Sequence, residues 1–180
     1  MSHFTEDDIR AALATDAEKA FRMIIDTYSS KLYWHIRRLV ITHDDTDDAL
    51  QNTFINAWRK IDSFRSDSSL LTWLWSIATN EALTLIRKRE RQSSVSLDDV
   101  EAILSDSAEG SIWFDGDAAQ VKLQNAILGL PEKQRIVFNM KYFDEMSYED
   151  MSSVTGTSVG ALKASYHHAV KKIEQFLRDD

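Results

Sequence analysis

From Ser147 to Leu177 the chain reads SYEDMSSVTGTSVGALKASYHHAVKKIEQFL, an order that few arrangements besides two helices meeting at a tight turn satisfy. Ser147 is a capping residue with Asp150 three positions on, so a helix starts there and runs to Val154. Thr155-Gly156-Thr157 is the break, and Gly156 supplies the left-handed backbone that a helix-ending turn needs. Ser158 caps a second helix whose apolar residues recur at Val159, Leu162, Tyr166, Val170 and Ile173. The opposite stripe holds Lys163, Ala164, His167, His168, Lys171 and Lys172. A helix-turn-helix lays such a stripe in the major groove, where short and basic side chains meet base edges and phosphates. His167 and His168 are adjacent, hence about 100° apart on a helix, and do not form a metal-gripping pair.

The rest of the chain points to helices as well. It has one Pro and five Gly in 180 residues, with three-to-four spacing of apolar residues and little strict alternation. Apolar residues at 43% and five Trp are enough for packed cores, so an all-α fold is expected rather than a disordered chain. No apolar run approaches the ~20 residues of a membrane span, and no secretory signal precedes the first acids. The absence of Cys excludes disulfides and thiol catalysis and fits a reducing cytoplasm.

A net charge of −8 is unexpected beside a DNA-reading stripe, but it is unevenly spread. Residues 93–120 hold seven acids and no base, and residues 1–17 carry −3. Residues 18–92 sum to +2 and residues 121–180 to zero, leaving two near-neutral modules with local basic patches. Screening over ~8 Å at physiological salt makes those patches matter more than the total. Residues 93–117, rich in Ser, Asp and Gly, mark the boundary. The organisation is therefore two helical domains, 1–92 and 120–180, joined by an acidic linker over 93–119, within which Ile112, Trp113 and Phe114 form an apolar island.

The first module shows three long helices. Thr15 with Glu18 makes a capping pair for a helix through Val40, with Ala20, Ile24, Tyr28 and Leu32 buried. Acids from Asp44 to Asp48 open the next, whose apolar stripe is Leu50, Phe54, Ala57, Trp58 and Ile61. A third starts at Ser68 or Ser69 and runs to Arg91 over Leu70, Trp73, Leu74, Ile77 and Ala78. In the second module Pro131 opens a helix with Ile136, Val137, Met140 and Phe143 inward.

Two further groups face outward. Asp48, Gln51, Asn52 and Ile55 mix polar groups with an aliphatic one and include no Lys, which suits a protein partner. Phe64, Arg65, Ser68 and Ser69 lie in a polar loop feeding the helix that carries Asn80. Hydroxyls, an aromatic and an amide of this kind hold an unstacked base by stacking and edge hydrogen bonds. Arg87, Lys88 and Arg89 follow on that helix and suit a nucleic-acid backbone.

In this order, DALQNTFINAWRKI, FRSDSSLLTWLWSIATN, IRKRER and the segment from Leu130 to Glu174 resemble extracytoplasmic-function sigma factors of bacterial RNA polymerase. The likeness covers about residues 18–92 and 120–177. It implies a non-enzymatic, cofactor-free protein whose first module binds the clamp helices of the polymerase core and opens the minus-ten promoter element. The second module would read the minus-thirty-five element of promoter DNA, and an anti-sigma factor is an implied partner. Carried over by position, Asp48, Gln51, Asn52 and Ile55 resemble clamp-binding residues. The loop from Phe64 to Ser69, with Asn80, resembles a pocket for a flipped base, while Lys163, Ala164, His167 and His168 sit where the recognition helix meets base edges. Arg is typical of that helix in much of the family, so its absence from this stripe removes bidentate guanine contacts by Arg, and the family's usual minus-thirty-five sequence does not carry over.

Two other readings compete. A stand-alone helix-turn-helix regulator would bind duplex DNA without polymerase. Asp44-Asp45-Thr46-Asp47-Asp48 also fits the D-D-x-x-D metal-diphosphate motif of helical terpenoid synthases, although a helix start accounts for acids there.

Overall fold

Acid-rich helix starts, basic helix ends and apolar stripes organise the chain, and a computed structural model describes residues 4–40, 42–64, 68–92 and 118–178. The helices are α1 (Glu6–Leu13), α2 (Ala17–Val40), α3 (His43–Lys60), α4 (Leu70–Gln92), α5 (Ala118–Leu128), α6 (Glu132–Tyr142), α7 (Tyr148–Thr155) and α8 (Val159–Arg178). A 3-10 turn, Ile61–Ser63, follows α3, and the described residues contain no strand. They form two compact units divided between Ile86 and Arg87, with Ser153–Thr155 grouped with the first. The linker, its Ile112, Trp113 and Phe114, and loop residue Arg65 lie outside the described residues.

In the first unit α2 packs against α1 and α3. Ala20, Ile24, Tyr28 and Leu32 are buried as their spacing predicts. Each fully buried aliphatic side chain contributes about 1.5–3 kcal/mol before entropy is counted. The start of α2 differs from expectation: the Asp16 carboxylate, not Thr15, accepts from the Lys19 N–H at 3.0 Å. Thr15 instead donates to the Ala12 carbonyl (3.3 Å), closing α1, a helix beyond the three expected from the spacing. That helix has its own signature, a Thr5–Asp8 capping box, and buries Ile9 completely.

The stripe of α3 is also displaced. Thr46, Ala49, Thr53 and Ala57 are inward, while Leu50 and Phe54 are half-buried and Trp58 is 43% exposed. Weighing side chains by apolar size centres the stripe one residue, about 100°, from where packing puts it. Small residues let helices approach closely, and the two threonine hydroxyls are satisfied by backbone carbonyls one turn back, at 2.6 and 2.7 Å. The expected burial of Ala57 and Ile61 holds. α4 is tied to its neighbours by His35 Nε2 and Thr79 Oγ1 (2.9 Å) and by Asn56 donating to Glu81 (2.8 Å).

In the second unit α8 packs against α5 and α6. Ala126, Ile127, Leu130, Phe138, Ala169 and Ile173 form its core, with Phe143, Tyr166 and Val170 packed around it. Pro131 precedes α6 and its carbonyl accepts from Gln134 and Arg135, both at 2.9 Å. No helix among the described residues is long and apolar enough to cross a membrane.

Candidate functional site

Three exposed surfaces carry the candidate residues. The first is the outer face of α3. Turning Ala49, Thr53 and Ala57 inward leaves Asp48, Gln51, Asn52 and Ile55 outward, spaced three to four apart and all exposed. Beside them lies a shallow groove of about 500 Å³ lined by Phe21, Gln51, Phe54, Ile55, Trp58 and Arg59. Phe21 of α2 meets Trp58 edge-on at 5.0 Å and Phe54 at 6.3 Å, which fixes the aromatic floor. Trp58 therefore belongs to this surface. An indole displaced from the stripe by small neighbours is the signal that could have shown it.

The second surface is the entry to α4. The Ser69 hydroxyl accepts from the Thr72 N–H at 3.0 Å and so caps α4 where the sequence places its start. Half-buried Phe64 lies 5.2 Å from the Trp73 ring, tilted by 47°. Trp73 and Asn80 are seven residues apart, so they share one face of α4 about 10 Å apart along its axis. Asn80 is exposed, and its neighbour Glu81 turns the other way to bind Asn56. Ser68 is half-buried, and Arg87, Lys88 and Arg89 are exposed near the end of the helix.

Sequence reasoning missed two residues at this entry. From α1, the Glu6 carboxylate accepts from the Leu70 N–H at 3.0 Å. Arg10 bonds Glu6 through Nε at 3.1 Å and Nη2 at 2.6 Å, and Nη2 reaches the Ser68 carbonyl at 3.5 Å. Its guanidinium carbon lies 5.2 Å from the Phe64 ring centre. The pair also reaches Tyr28: burial first, then the Glu6 charge, pushes that hydroxyl above its ordinary pKa, against a smaller opposing effect of Arg10. A Glu–Arg spacing of four gives the ion pair away, but its target 60 residues on leaves no local trace.

The third surface is the stripe on α8. Lys163, Ala164, His167, His168, Lys171 and Lys172 are all exposed. Local chemistry sets their presentation. The Ser147 hydroxyl accepts from the Asp150 N–H at 3.0 Å, Gly156 takes φ +67°, and Ser158 accepts from the Ala161 N–H at 3.4 Å. The Lys163 ammonium lies 5.5 Å from the Tyr148 ring centre and that of Lys141 lies 5.1 Å from it. Burial first, then Tyr166, pushes the Tyr148 hydroxyl above its usual pKa. The His167 and His168 rings stand 6.0 Å apart. At the aspartate run, the Thr42 hydroxyl donates to the Asp45 carboxylate at 2.9 Å and accepts from its N–H at 3.3 Å, as helix capping requires.

Comparison with known proteins adds a second line. The profile of Sigma-70 region 2 matches residues 24–92, and that of Sigma-70 region 4 matches residues 120–173. The ECF RNA polymerase sigma factor SigW of Bacillus subtilis is 33% identical over 172 residues, spanning 90% of this chain and 91% of the relative. The RNA polymerase sigma-H factor of Pseudomonas aeruginosa is 30% identical, over 89% of this chain and 88% of its own length. Among solved structures, the sigma factor RpoE of Bartonella quintana, in complex with the anti-sigma factor NepR, is 25% identical with TM-score 0.69. That likeness covers 90% of this chain and 99% of RpoE. CnrH, in complex with the cytosolic domain of CnrY, shares the fold at 24% identity and TM-score 0.71, covering 96% of each chain.

Proposed function

Since this chain belongs to the extracytoplasmic-function sigma factors of RNA polymerase, we propose how its surfaces divide the work of starting transcription. The outer face of α3, with Asp48, Gln51, Asn52, Ile55 and the exposed indole of Trp58, docks on the clamp helices of the core enzyme. An exposed aromatic beside an aliphatic and two amides, without Lys, is the composition of a protein-binding surface. Phe64, Arg65, Ser68, Ser69 and Asn80 receive a base of the opened minus-ten element, while Arg87, Lys88 and Arg89 hold the strand's phosphates. The residues 120–180 read the minus-thirty-five element with Lys163, Ala164, His167 and His168 at base edges and Lys171 and Lys172 on phosphates. The domain limits, 1–92, 93–119 and 120–180, follow the same division.

The observation that carries this reading is the conjunction, in one chain, of a lysine-free exposed α3 face with an exposed Lys/His stripe on a capped helix-turn-helix. A regulator working without polymerase has no use for the first, and the region 2 match does not favour it. The protein accelerates promoter opening by binding alone and works in the cytoplasm beside polymerase. An anti-sigma factor that covers one of these surfaces is the partner suggested by the neighbouring complex of RpoE with NepR.

Reconstitution with core polymerase tests the assignment. Asn80→Ala should reduce promoter opening by about tenfold with little change in core affinity, because unstacking a base costs a few kcal/mol that the pocket offsets. Equal loss of both would reject the pocket. Lys163→Ala and His168→Ala should each weaken minus-thirty-five recognition by about five- to tenfold at constant core affinity, the scale of one base contact. Unchanged sequence preference in holoenzyme gel shifts would reject the stripe.

A further inference from the structure

Each end of the connection between α3 and α4 touches one ion pair on α1. The pair is Glu6–Arg10, one helical turn apart, with Nη2 to Oε1 at 2.6 Å and both side chains about seven-tenths buried. Glu6 takes the N–H of Leu70, the first residue of α4, at 3.0 Å. That N–H is one of the four donors a helix start leaves unmatched, and a carboxylate there also suits the helix dipole. Ser69 serves the Thr72 N–H two residues on, so the two side chains divide the capping between them. Arg10 reaches the Ser68 carbonyl on this side and stands over the Phe64 ring on the other.

We propose that α1 is a positioning element for minus-ten recognition: Glu6 and Arg10 lock the entry of α4 and the Phe64–Trp73 ring pair in the arrangement that accepts an opened base. The proposal rests on the assignment of this connection to base capture. A pocket for an extruded base must be held before the base arrives, since ordering it afterwards subtracts from the binding that drives opening. Among the described residues, the ends of the α3–α4 connection are ordered locally by the Ile61–Ser63 turn, which closes with the Phe64 N–H on the Ile61 carbonyl at 3.1 Å, and by the Ser69 cap. A guanidinium that donates through Nε and Nη2 to one carboxylate oxygen, and stands over a ring on its other side, adds a constraint from outside the connection. Neither Glu6 nor Arg10 touches DNA in this scheme; both act through Phe64, Ser68 and Leu70.

The test uses holoenzyme and promoters carrying either the preferred base or a substituted one at the captured minus-ten position. The measured quantity is the ratio of open-complex formation on the two. Arg10→Ala should lower that ratio by about five- to tenfold, the net scale of one ordinary hydrogen bond transmitted through the pocket, with core affinity unchanged. Arg10→Lys retains the charge but not the fork, and should recover part of the loss. Glu6→Gln keeps an acceptor for the Leu70 N–H and loses the ion pair, so it should fall between wild type and Arg10→Ala. Should Arg10→Ala fail to fold, these two conservative variants carry the test. A side chain serving only fold stability would lower opening on both promoters alike and leave the ratio intact; that result overturns the proposal. Asn80→Ala separates the two levels. A lowered ratio in Asn80→Ala beside a normal one in Arg10→Ala and Glu6→Gln rejects the α1 role alone. A normal ratio in Asn80→Ala rejects the base pocket, and the α1 role with it.

Discussion

Two connections present the surfaces proposed to meet nucleic acid, and they are held by opposite means. The turn between α7 and α8 is fixed by residues within it and beside it: the Ser147 cap, left-handed Gly156 and the Ser158 cap. The connection between α3 and α4 takes its second cap from Glu6 and a ring contact from Arg10, both far upstream in sequence. A locally held turn keeps its geometry as long as its own helices pack. A remotely held one follows whatever happens to the distant helix, which makes it responsive as well as vulnerable.

The contrast breaks most sharply at Ile9, which is fully buried and anchors α1. Ile9→Ala should cost about 2–5 kcal/mol, the range for truncating a buried aliphatic. Amide exchange at Leu70 should accelerate while amides of α8 keep their protection; equal acceleration in both would erase the distinction. Gly156→Val is the reciprocal change. Nothing lies within 4 Å of a Cβ built there, so its cost is backbone strain at φ +67°, about 1–2 kcal/mol. It should loosen the start of α8 and leave Leu70 unaffected. Acid gives the smallest effect. The Thr5 hydroxyl, then its backbone N–H, hold the Asp8 carboxyl below the usual carboxylate range, with desolvation opposing weakly. A depressed folded pKa stabilises α1 above the ordinary value of about 3.9 and ceases to do so as pH falls through the folded value. Leu70 exchange should therefore rise at low pH, and Asp8→Asn should flatten that limb.

The same contrast explains what the sequence made legible. The helix-turn-helix, its stripe and the start of α4 rest on caps, a glycine and three-to-four spacing, all local signals, and each is where the sequence places it. The α3 face was legible at Asp48, Gln51, Asn52 and Ile55, but not at Trp58, because size-weighted periodicity assigns an indole to the core. Packing through Ala49, Thr53 and Ala57 overrides that weighting. Helix α1 was hidden by its acidity: read as a charged end, it holds a Thr5–Asp8 capping box and one decisive Ile. Its link to Ser68 and Leu70 is a tertiary fact with no periodicity to read.

One consequence follows from the continuity of α4, a helix unbroken from Leu70 to Gln92. The aromatic pair at its start and the amide of Asn80 stand on a single rod, so the interval between them is a ruler graduated by the helical repeat. No loop can stretch it. Adding one residue between Trp73 and Asn80 would swing the amide about 100° off the aromatic side, and the spacing on which the proposed base capture depends would be lost at a stroke. Substitution within this helix can therefore change the chemistry at either mark, but not the distance between the marks.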